Sequence, residues 1–407
     1  MTDRDAPSHA PGPATHELLQ REARHHSGLW SPRRAFVAGD GCTLIDADGN
    51  RFLDMMAGIA VASLGHAHPD LTEAIAAQAG RLVTGPQNLA NDVRTDFLEA
   101  LFRLAPAPLN RAFLSSSGSE ANEAAIKWAH AATGRSVFVA CKRGFHGRTL
   151  GALPLTWTPA YREPFEALLG HEARFVSYGD VDALDAAIGD DVAAFVMEPV
   201  QGEGGIHPAD RAFVQEARRL TRERGALLLF DEIQSGAGRT GRFLAHQHFG
   251  VDADVVTMAK GLGGGVPIGA TLMTDAVAEA MPAGGHGTTF GGNPLAAAAG
   301  LVVLRALEDG LLQHVAEVGD HLHARLNELA ESEPRVRSVR GLGLMVGIEF
   351  KEKVAKIAEA LENRGVLAIP AGATVLRFVP PLVVSTSELD RAVEALRGAL
   401  ADTAPEA

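Results

Sequence analysis

Seven short apolar runs alternate with amphipathic stretches between about residue 66 and residue 295. They are RAFLS, SVFVA, ARFVSY, VAAFVMEPV, ALLLF, DVVTMA and IGATLM. Apolar runs of this length, spaced by helical stretches, are typical of parallel strands that are buried on both faces and joined by crossover helices. The pattern therefore predicts an α/β fold, in which helices enclose a mostly parallel, seven-stranded sheet.

Two of these runs lead into a charged residue. ALLLF is followed by Asp231, and DVVTMA is followed by Lys260. Ligands of open α/β sheets bind beyond the carboxyl ends of the strands, so an acid and an amine are expected to face one crevice. A lysine there can form a Schiff base and an aspartate can keep a pyridinium nitrogen protonated, which are the contacts that pyridoxal phosphate requires. The alternative is a structural ion pair at the strand ends.

The residues around this pair resemble the cofactor segment of the class III aminotransferases, the ω-aminotransferase subgroup. The matching stretches are 231–234 (DEIQ), 238–241 (GRTG) and 260–265 (KGLGGG). The resemblance implies that Asp231 pairs with the pyridine nitrogen of pyridoxal phosphate, that Gln234 lies near its phenolic oxygen, and that Lys260 carries it as a Schiff base.

A small-residue segment, SSSGSEANE over 115–123, follows the strand RAFL and opens an amphipathic helix. The free amides and the dipole at such a helix start bind phosphate. A serine N-cap without a ligand is the alternative. Resemblance to the phosphate loop of the family assigns cofactor binding to Ser117, Gly118 and Ser119.

Two further loops match cofactor contacts of the family. In GFHGRT, over 144–149, the resemblance implies that Phe145 stacks on the pyridine ring, and a core phenylalanine is the alternative. HGTTFGGNP, over 286–294, resembles the loop that crosses a dimer interface to contact the phosphate of the neighbouring subunit. This implies a homodimer with Thr289 as the contact. Phe290 stands where many members carry tyrosine.

Substrate recognition is predicted to use two arginines and one glutamate. An arginine that binds a carboxylate beside the reacting carbon is uncompensated when an ω-amine occupies the site, so a carboxylate that masks it is expected. Glu203 and Arg377 match the gate pair of the ornithine and acetylornithine aminotransferases, and Arg148 matches the residue that binds the distal carboxylate. Surface ion pairs are the alternative for all three.

The pattern changes from about residue 296. A helix over 294–307 leads to the strand pair GLGLMVGIEF and ATVLRFVPPLVV and to a last helix over 387–400. Near the start, a helix over 16–27 precedes CTLIDADGNRFLD, which is typical of a β-hairpin. We expect a disordered tail (1–15), a small α+β domain from both chain ends (16–65 and 296–407) and a large pyridoxal-phosphate-binding domain (66–295). Resemblance to fold-type I pyridoxal enzymes implies the same arrangement.

The composition narrows the classes of function. The 407 residues carry a formal net charge of −13, which disfavours binding to nucleic acid or to a membrane surface. The chain has no apolar stretch of membrane-spanning length and no signal-peptide pattern, so a cytoplasmic location is expected. Cys42 and Cys141 have no C-x-x-C spacing and are predicted to be reduced thiols. His66 and His68 lack a suitably spaced third ligand, so no metal site is expected.

The resemblance extends over about residues 28–400. It is strongest to the aminotransferases whose amino-acid substrate is tethered to a small acidic amino-group carrier protein, through 155–165 and 343–353. The chain is thus expected to move the terminal amino group between a carrier-bound or N-acylated lysine or ornithine and 2-oxoglutarate or glutamate, in lysine or arginine biosynthesis. A free N-acetylornithine aminotransferase, a glutamate-1-semialdehyde-type aminomutase and a non-catalytic cofactor-binding regulator are the alternatives.

An acidic carrier would need basic residues at the mouth of the site, because the enzyme's own net charge repels it. The candidates are Lys142, Arg143 and Arg162, with Arg33 and Arg34 as a second set. Solvated single charges without a partner are the alternative.

Overall fold

The computed structural model describes residues 9–403. The N-terminal elements are α1 (Pro13–Ala23), β1 (Phe36–Asp40), β2 (Thr43–Asp46), β3 (Arg51–Asp54), α2 (Ala57–Ala60), α3 (Pro69–Ala79) and α4 (Asp92–Leu104). The central elements are β4 (Arg111–Ser115), α5 (Gly118–Thr133), β5 (Val137–Cys141), α6 (Pro159–Arg162), β6 (Ala173–Val176), α7 (Val181–Ala187), β7 (Val192–Met197), β8 (Val200–Gln201), β9 (His207–Pro208), α8 (Arg211–Arg224), β10 (Leu227–Asp231), β11 (Val255–Met258), β12 (Gly269–Met273) and α9 (Asp275–Glu279). The C-terminal elements are α10 (Pro294–Ala306), α11 (Leu312–Ser332), β13 (Val336–Leu342), β14 (Met345–Phe350), α12 (Ala355–Asn363), β15 (Val366–Leu367), β16 (Ile369–Pro370), β17 (Val375–Phe378) and α13 (Thr386–Asp402).

The central sheet confirms the predicted architecture. Its seven strands lie in the order β4-β12-β11-β10-β7-β5-β6, and each contains one of the seven apolar runs. Only β12 runs against its neighbours, β4 and β11, while the other adjacent pairs are parallel. Every residue of β5, β7 and β11 is buried, as expected for strands with helices on both faces.

Parallel pairing brings the ends of the central strands to one edge of the sheet. β10 ends at Asp231, and its neighbour β7 is followed by Glu198. On the other side of β10, β11 is followed two residues later by Lys260. The loop after β5 carries Phe145 and reaches the same edge. Four segments far apart in sequence therefore surround one crevice.

A second domain is built around two smaller sheets. One has the order β1-β2-β3-β15 and includes the predicted hairpin, since β2 and β3 pair antiparallel. The other has the order β13-β14-β17-β16 and includes the predicted strand pair as β14 and β17, which run antiparallel. The final helix, α13, begins with a capping box of Ser385 and Glu388. The domain boundaries near residues 65 and 296 stay a prediction. The helix α10, at the second boundary, packs against α3 and α4.

The start of the chain differs from the expected disordered tail. Residues 1–8 of that tail lie outside the described residues, but α1 begins at Pro13, three residues before the predicted helix start. The carboxylate of Asp48 accepts hydrogen bonds from the amides of Gly12, Ala14 and Thr15 at 2.9–3.1 Å. These amides are donors that a helix start leaves without intrahelical partners, so a distant side chain stabilises α1.

The thiols agree with expectation. Cys42 and Cys141 are buried and free. Burial raises the pKa of the Cys42 thiol to about 12, so the reactive thiolate is scarce at neutral pH. No described helix has the length and apolar character needed to cross a membrane.

Asp48→Ala tests how α1 is held. Loss of the acceptor for three amides should destabilise this helix start and speed deuterium exchange over residues 12–23. Hydrogen exchange with mass spectrometry would measure it. Asp40→Ala, at an exposed position, is the control and should leave the exchange unchanged. The same slow exchange in both variants would contradict the role of Asp48.

Candidate active site

One cavity of about 350 Å³ lies at the carboxyl edge of the central sheet. Eight of the eleven predicted site residues line it: Ser117, Gly118, Ser119, Phe145, Glu203, Asp231, Gln234 and Lys260. They come from the starts of loops and helices that follow β4, β5, β7, β10 and β11. The fold therefore gathers residues that are up to 143 positions apart, from 117 to 260, around one space.

Asp231 is held by side chains from two other segments. Its Oδ2 accepts hydrogen bonds from His146 Nδ1 at 2.7 Å and from Asn122 Nδ2 at 2.9 Å. Its Oδ1 accepts from the amide of Ile233 at 3.1 Å. Asn122 is itself fixed, since its Oδ1 accepts from Thr257 Oγ1 at 2.8 Å. The carboxylate is thus oriented from both oxygens in a site where its side chain is 3% exposed.

His146 and Asn122 were not among the residues predicted from the sequence. Both lie inside recognised motifs, 144–149 and 115–123, but only the structure shows that both donate to Asp231. Burial disfavours the charged form of His146, yet the hydrogen bond and the charge of Asp231 outweigh it and raise the pKa of the imidazole. With a proton on Nδ1, His146 therefore stabilises the ionised form of Asp231.

Lys260 follows β11 in a left-handed conformation with φ of 39°. Burial lowers the pKa of its amine to about 8, although the negative charges of Glu203 and Asp231 oppose this. An amine with this pKa is neutral in a substantial fraction of molecules near physiological pH. It is then able to act as a nucleophile and to take up a proton.

The start of α5 faces the cavity through Ser117, Gly118 and Ser119. Ser117 is the N-cap, and its Oγ accepts from the amide of Glu120 at 3.2 Å. Among the described residues, no partner accepts from the amides of Gly118 and Ser119. A Cβ at Gly118 would lie 2.8 Å from Ile233 Cδ1, so only glycine lets α5 approach the loop after Asp231 this closely. The helix start is both capped and open to an anion.

Glu203 and Arg377 form an ion pair beside the cavity. Arg377 Nη1 donates to Glu203 Oε1 at 2.6 Å and to Gln234 Oε1 at 3.0 Å. The Arg377 side chain is fully buried, yet its Nε and Nη2 have no hydrogen-bond partner among the described residues. Burial opposes ionisation of Glu203, but the charge of Arg377 outweighs it and lowers the pKa of this carboxyl. Glu203 is therefore ionised beside the guanidinium of Arg377, and two nitrogens of Arg377 still lack acceptors among the described residues.

The structure places the other two predicted residues differently. Arg148 is exposed, and its guanidinium carbon lies 5.5 Å from the ring centre of Phe145, 5.2 Å from that of Tyr161 and 5.9 Å from that of Trp30. It thus stands at the rim, next to the cavity. Thr289 is exposed on the loop before α10 and does not line this chain's cavity. The described chain alone does not bring Thr289 to the site.

The residues of the cavity fit pyridoxal phosphate. The amine of Lys260 suits an aldehyde, the buried Asp231 carboxylate suits a protonated ring nitrogen, and the open amides of Gly118 and Ser119 suit a phosphate. Phe145 adds an aromatic ring to the lining of the same cavity. These groups lie on separate segments around one cavity, which favours a single ligand that carries all of the complementary functions.

Comparisons with known proteins agree with this interpretation. The family model described as "Aminotransferase class-III" matches residues 30–400. A LysW-aminoadipate semialdehyde transaminase from Deinococcus radiodurans is 49% identical over 391 residues, which are 95% of this chain and 91% of that protein. An acetylornithine aminotransferase from Methanopyrus kandleri is 45% identical over 366 residues, 89% of this chain and 93% of that protein. A solved structure of the ornithine aminotransferase from Toxoplasma gondii, with partial occupancy of PLP at its active site, superposes with a TM-score of 0.89 at 30% identity over 94% of both chains.

The electrostatics of the cavity predict how Lys260 titrates in the cofactor-free protein. Its reaction with acetic anhydride should rise with a midpoint near pH 8, below that of exposed lysines, which is about 10.4. Glu203→Gln removes a negative charge that favours the ammonium form, so the midpoint should fall further. Mass spectrometry of peptides labelled across a pH series would measure both. A midpoint that rises in the variant would contradict this electrostatic account.

Proposed function

The chain belongs to the class III aminotransferases, and we propose that it moves the terminal amino group between a carrier-protein-bound lysine or ornithine and 2-oxoglutarate or glutamate. The observation that carries this proposal is the contact of Glu203 with Arg377 beside Lys260, because it places a masked carboxylate-binding group next to the reactive amine. The name of the 49% identical relative supports a carrier-linked substrate in lysine biosynthesis.

Family membership confirms the predictions of an enzyme of the aminotransferase class, of the fold-type I architecture and of pyridoxal phosphate as the cofactor. When bound, pyridoxal phosphate supplies a carbonyl that takes up an amino group and a ring that accepts electrons from the reacting carbon. We assign the covalent attachment to Lys260, the ring nitrogen contact to Asp231, and the phosphate contacts to Ser117, Gly118 and Ser119.

Lys260 is the group that we assign to proton transfer at the reacting carbon. Its amine lines the cavity, and its pKa of about 8 is close enough to neutrality for it to accept a proton and return it. Asp231 cannot easily rotate away, since three donors hold its carboxylate. Its fixed negative charge would keep the ring nitrogen protonated throughout the exchange.

The gate pair accounts for the use of two unlike substrates. An ω-amine has no carboxylate at its reacting carbon, and Glu203 then neutralises Arg377. With glutamate or 2-oxoglutarate, a substrate carboxylate replaces Glu203 and can use Nε and Nη2 of Arg377, which lack described partners. Arg148 at the rim is the residue that we assign to the distal carboxylate.

A homodimer in the cytoplasm is part of the proposal. Thr289 and Phe290 project from the loop before α10, and Phe290 is 64% exposed. The first turn of α10, directly after this loop, adjoins exposed Val83, because the amide of Leu295 donates to the carbonyl of Val83. Exposed apolar side chains on two adjoining segments favour an interface with a second copy, which would carry Thr289 to the partner's phosphate site.

An acidic carrier needs a basic surface to dock on, and the predicted basic residues differ in whether they already have partners within the chain. Arg33 and Arg34 both pair with Glu362, and Arg162 lies on the ring of Phe175 and donates to a backbone carbonyl, so these three are occupied internally. Lys142 and Arg143 are exposed and form no ion pair with a described acidic residue.

Two arginines on β13 extend this surface. Arg143 Nη1 and Arg340 Nη2 lie 3.2 and 3.4 Å from His207 Nε2. Arg337, on the same strand as Arg340, is exposed and shares Glu349 with it. The basic patch therefore consists of Lys142 and Arg143, and Arg337 and Arg340 lie beside it, already paired with Glu349. Arg340 also donates to the carbonyl of Gly205, two residues from Glu203. This location supports docking of an acidic carrier near the gate.

Glu203→Ala tests the gate. Arg377 would then stay unmasked, so kcat/KM for N-acetylornithine should fall relative to that for glutamate by roughly thirtyfold, which corresponds to about 2 kcal/mol for an uncompensated buried charge. Both half-reactions can be followed spectroscopically with each donor. Glu331→Ala, at an exposed position, is the control. An equal loss for both donors would contradict masking by Glu203.

Salt dependence separates carrier-bound from free substrates. Charge steering is screened beyond about 8 Å at physiological ionic strength, so kcat/KM for carrier-bound lysine should fall steeply with salt, while that for N-acetylornithine should change little. Replacing Lys142 and Arg143 by glutamine should weaken only the carrier reaction. Replacing Lys353 and Lys356, outside the patch, is the control. An equal kcat/KM for carrier-bound lysine and N-acetylornithine, or an equal dependence of both on salt, would instead support an acetylornithine aminotransferase.

A further inference from the structure

Glu198, at the end of β7, holds two loops through one carboxyl group. Its Oε1 accepts from the amide of Phe145 and its Oε2 from the amide of Gly202, both at 3.1 Å. The residue lines the cavity and is 8% exposed. Burial raises the pKa of Glu198 to about 8, while the two amide donors favour its ionised form. Its carboxyl group forms no described hydrogen bond with Lys260, Glu203 or Arg377.

The two loops that Glu198 joins have separate tasks. Residues 142–148 carry the Phe145 ring and Arg148, whereas residues 201–205 carry Glu203. Gly202 is adjacent to Glu203, so a shift of its amide moves the carboxylate that pairs with Arg377. The spacing of the loops therefore sets the distance between the ring contact and the gate.

Two further contacts join the same loops. Gln201 Nε2 donates to the carbonyl of Lys142 at 2.8 Å. Gly204 lies so close to Arg143 that an added Cβ would be 2.7 Å from its carbonyl oxygen. The loops are thus connected at three points along their length, and Glu198 is the connection that lies inside the cavity.

We infer that Glu198 is a positioning residue for the transfer reaction, which locks the loop of Phe145 to the loop of Glu203. Because the backbone at Gly202 is held, Glu203 exchanges between masking and releasing Arg377 by rotation of its side chain, without displacement of the loop. This role rests on the gate proposed above. The carboxyl group is needed because each of its oxygens accepts one amide, whereas a glutamine presents an NH₂ group to one of them and cannot accept there.

Glu198→Gln tests the connection at two levels. In the cofactor-free protein, amides of residues 142–148 and 201–205 should exchange with deuterium faster than in the wild type, because one loop loses its acceptor. In the loaded enzyme, the ratio of kcat/KM for N-acetylornithine to that for glutamate should fall by about tenfold, with a smaller change in kcat for glutamate. Unchanged exchange in both loops would overturn the inference.

Two variants keep the test decisive. Gln201→Met removes the hydrogen bond to the Lys142 carbonyl. It should change the deuterium exchange of the loops and the ratio of kcat/KM for the two donors in the same direction as Glu198→Gln. It therefore provides the test if Glu198→Gln folds poorly. Glu232→Gln is the matched control, because Glu232 is a buried glutamate that accepts from the amides of Ala245 and His246 and belongs to neither of the two loops. It should lower thermal stability without shifting the donor ratio. Faster loop exchange with an unchanged donor ratio would refute the coupling of the loops to the gate.

The exchange measurement needs no substrate, so it separates this inference from the proposed function. If Glu203→Ala leaves donor preference unchanged while Glu198→Gln loosens both loops, the gate proposal fails and the connection between the loops stands. If Glu203→Ala shifts the preference while both loops exchange as in the wild type, the gate stands and Glu198 is not its positioning residue.

Discussion

The buried carboxylate of Asp231 determines how the site is assembled. A carboxylate removed from water needs donors, and here they come from His146, Asn122 and the amide of Ile233. Each donor belongs to a different segment at the edge of the central sheet. Satisfying one anion therefore fixes the loop after β5, the first turns of α5 and the turn after β10 against one another. This arrangement also positions the start of α5 and the ring of Phe145 at the cavity.

The ion pair of Arg377 and Glu203 leaves part of the arginine without partners. Arg377 is fully buried but uses only one of its three guanidinium nitrogens with described partners, through Glu203 and Gln234. A fully satisfied pair would be a stable structural ion pair. A partly satisfied one keeps an affinity for a second carboxylate. In the proposed gate, a rigid anion, Asp231, thus lies in the same site as a carboxylate, Glu203, that a substrate carboxylate would replace, and both raise the pKa of the Lys260 amine.

The sequence allowed the strands and their chemistry to be predicted because both are local signals. Apolar runs mark the seven strands, and Asp231 and Lys260 follow them directly. Hydrogen bonds between distant segments leave no such signal: neither the Asn122–Asp231 bond nor the two amides held by Glu198 has a periodicity or spacing. The start of α1 was misplaced for the same reason, since its acceptor, Asp48, is 33 to 36 residues away. Thr289 is a different case, because its predicted partner belongs to another copy of the chain.

The parallel pairing of β3 with β15 has a consequence for how the chain is made. β3 ends at Asp54, but its partner begins at Val366, so about 300 residues must be synthesised before this edge is complete. At about 5–20 residues per second, the wait is roughly 15 to 60 seconds. All strands of the central sheet lie between residues 111 and 273 and leave the ribosome during that interval. The central sheet can therefore form first, while the edge of β3 stays unpaired until β15 has been synthesised.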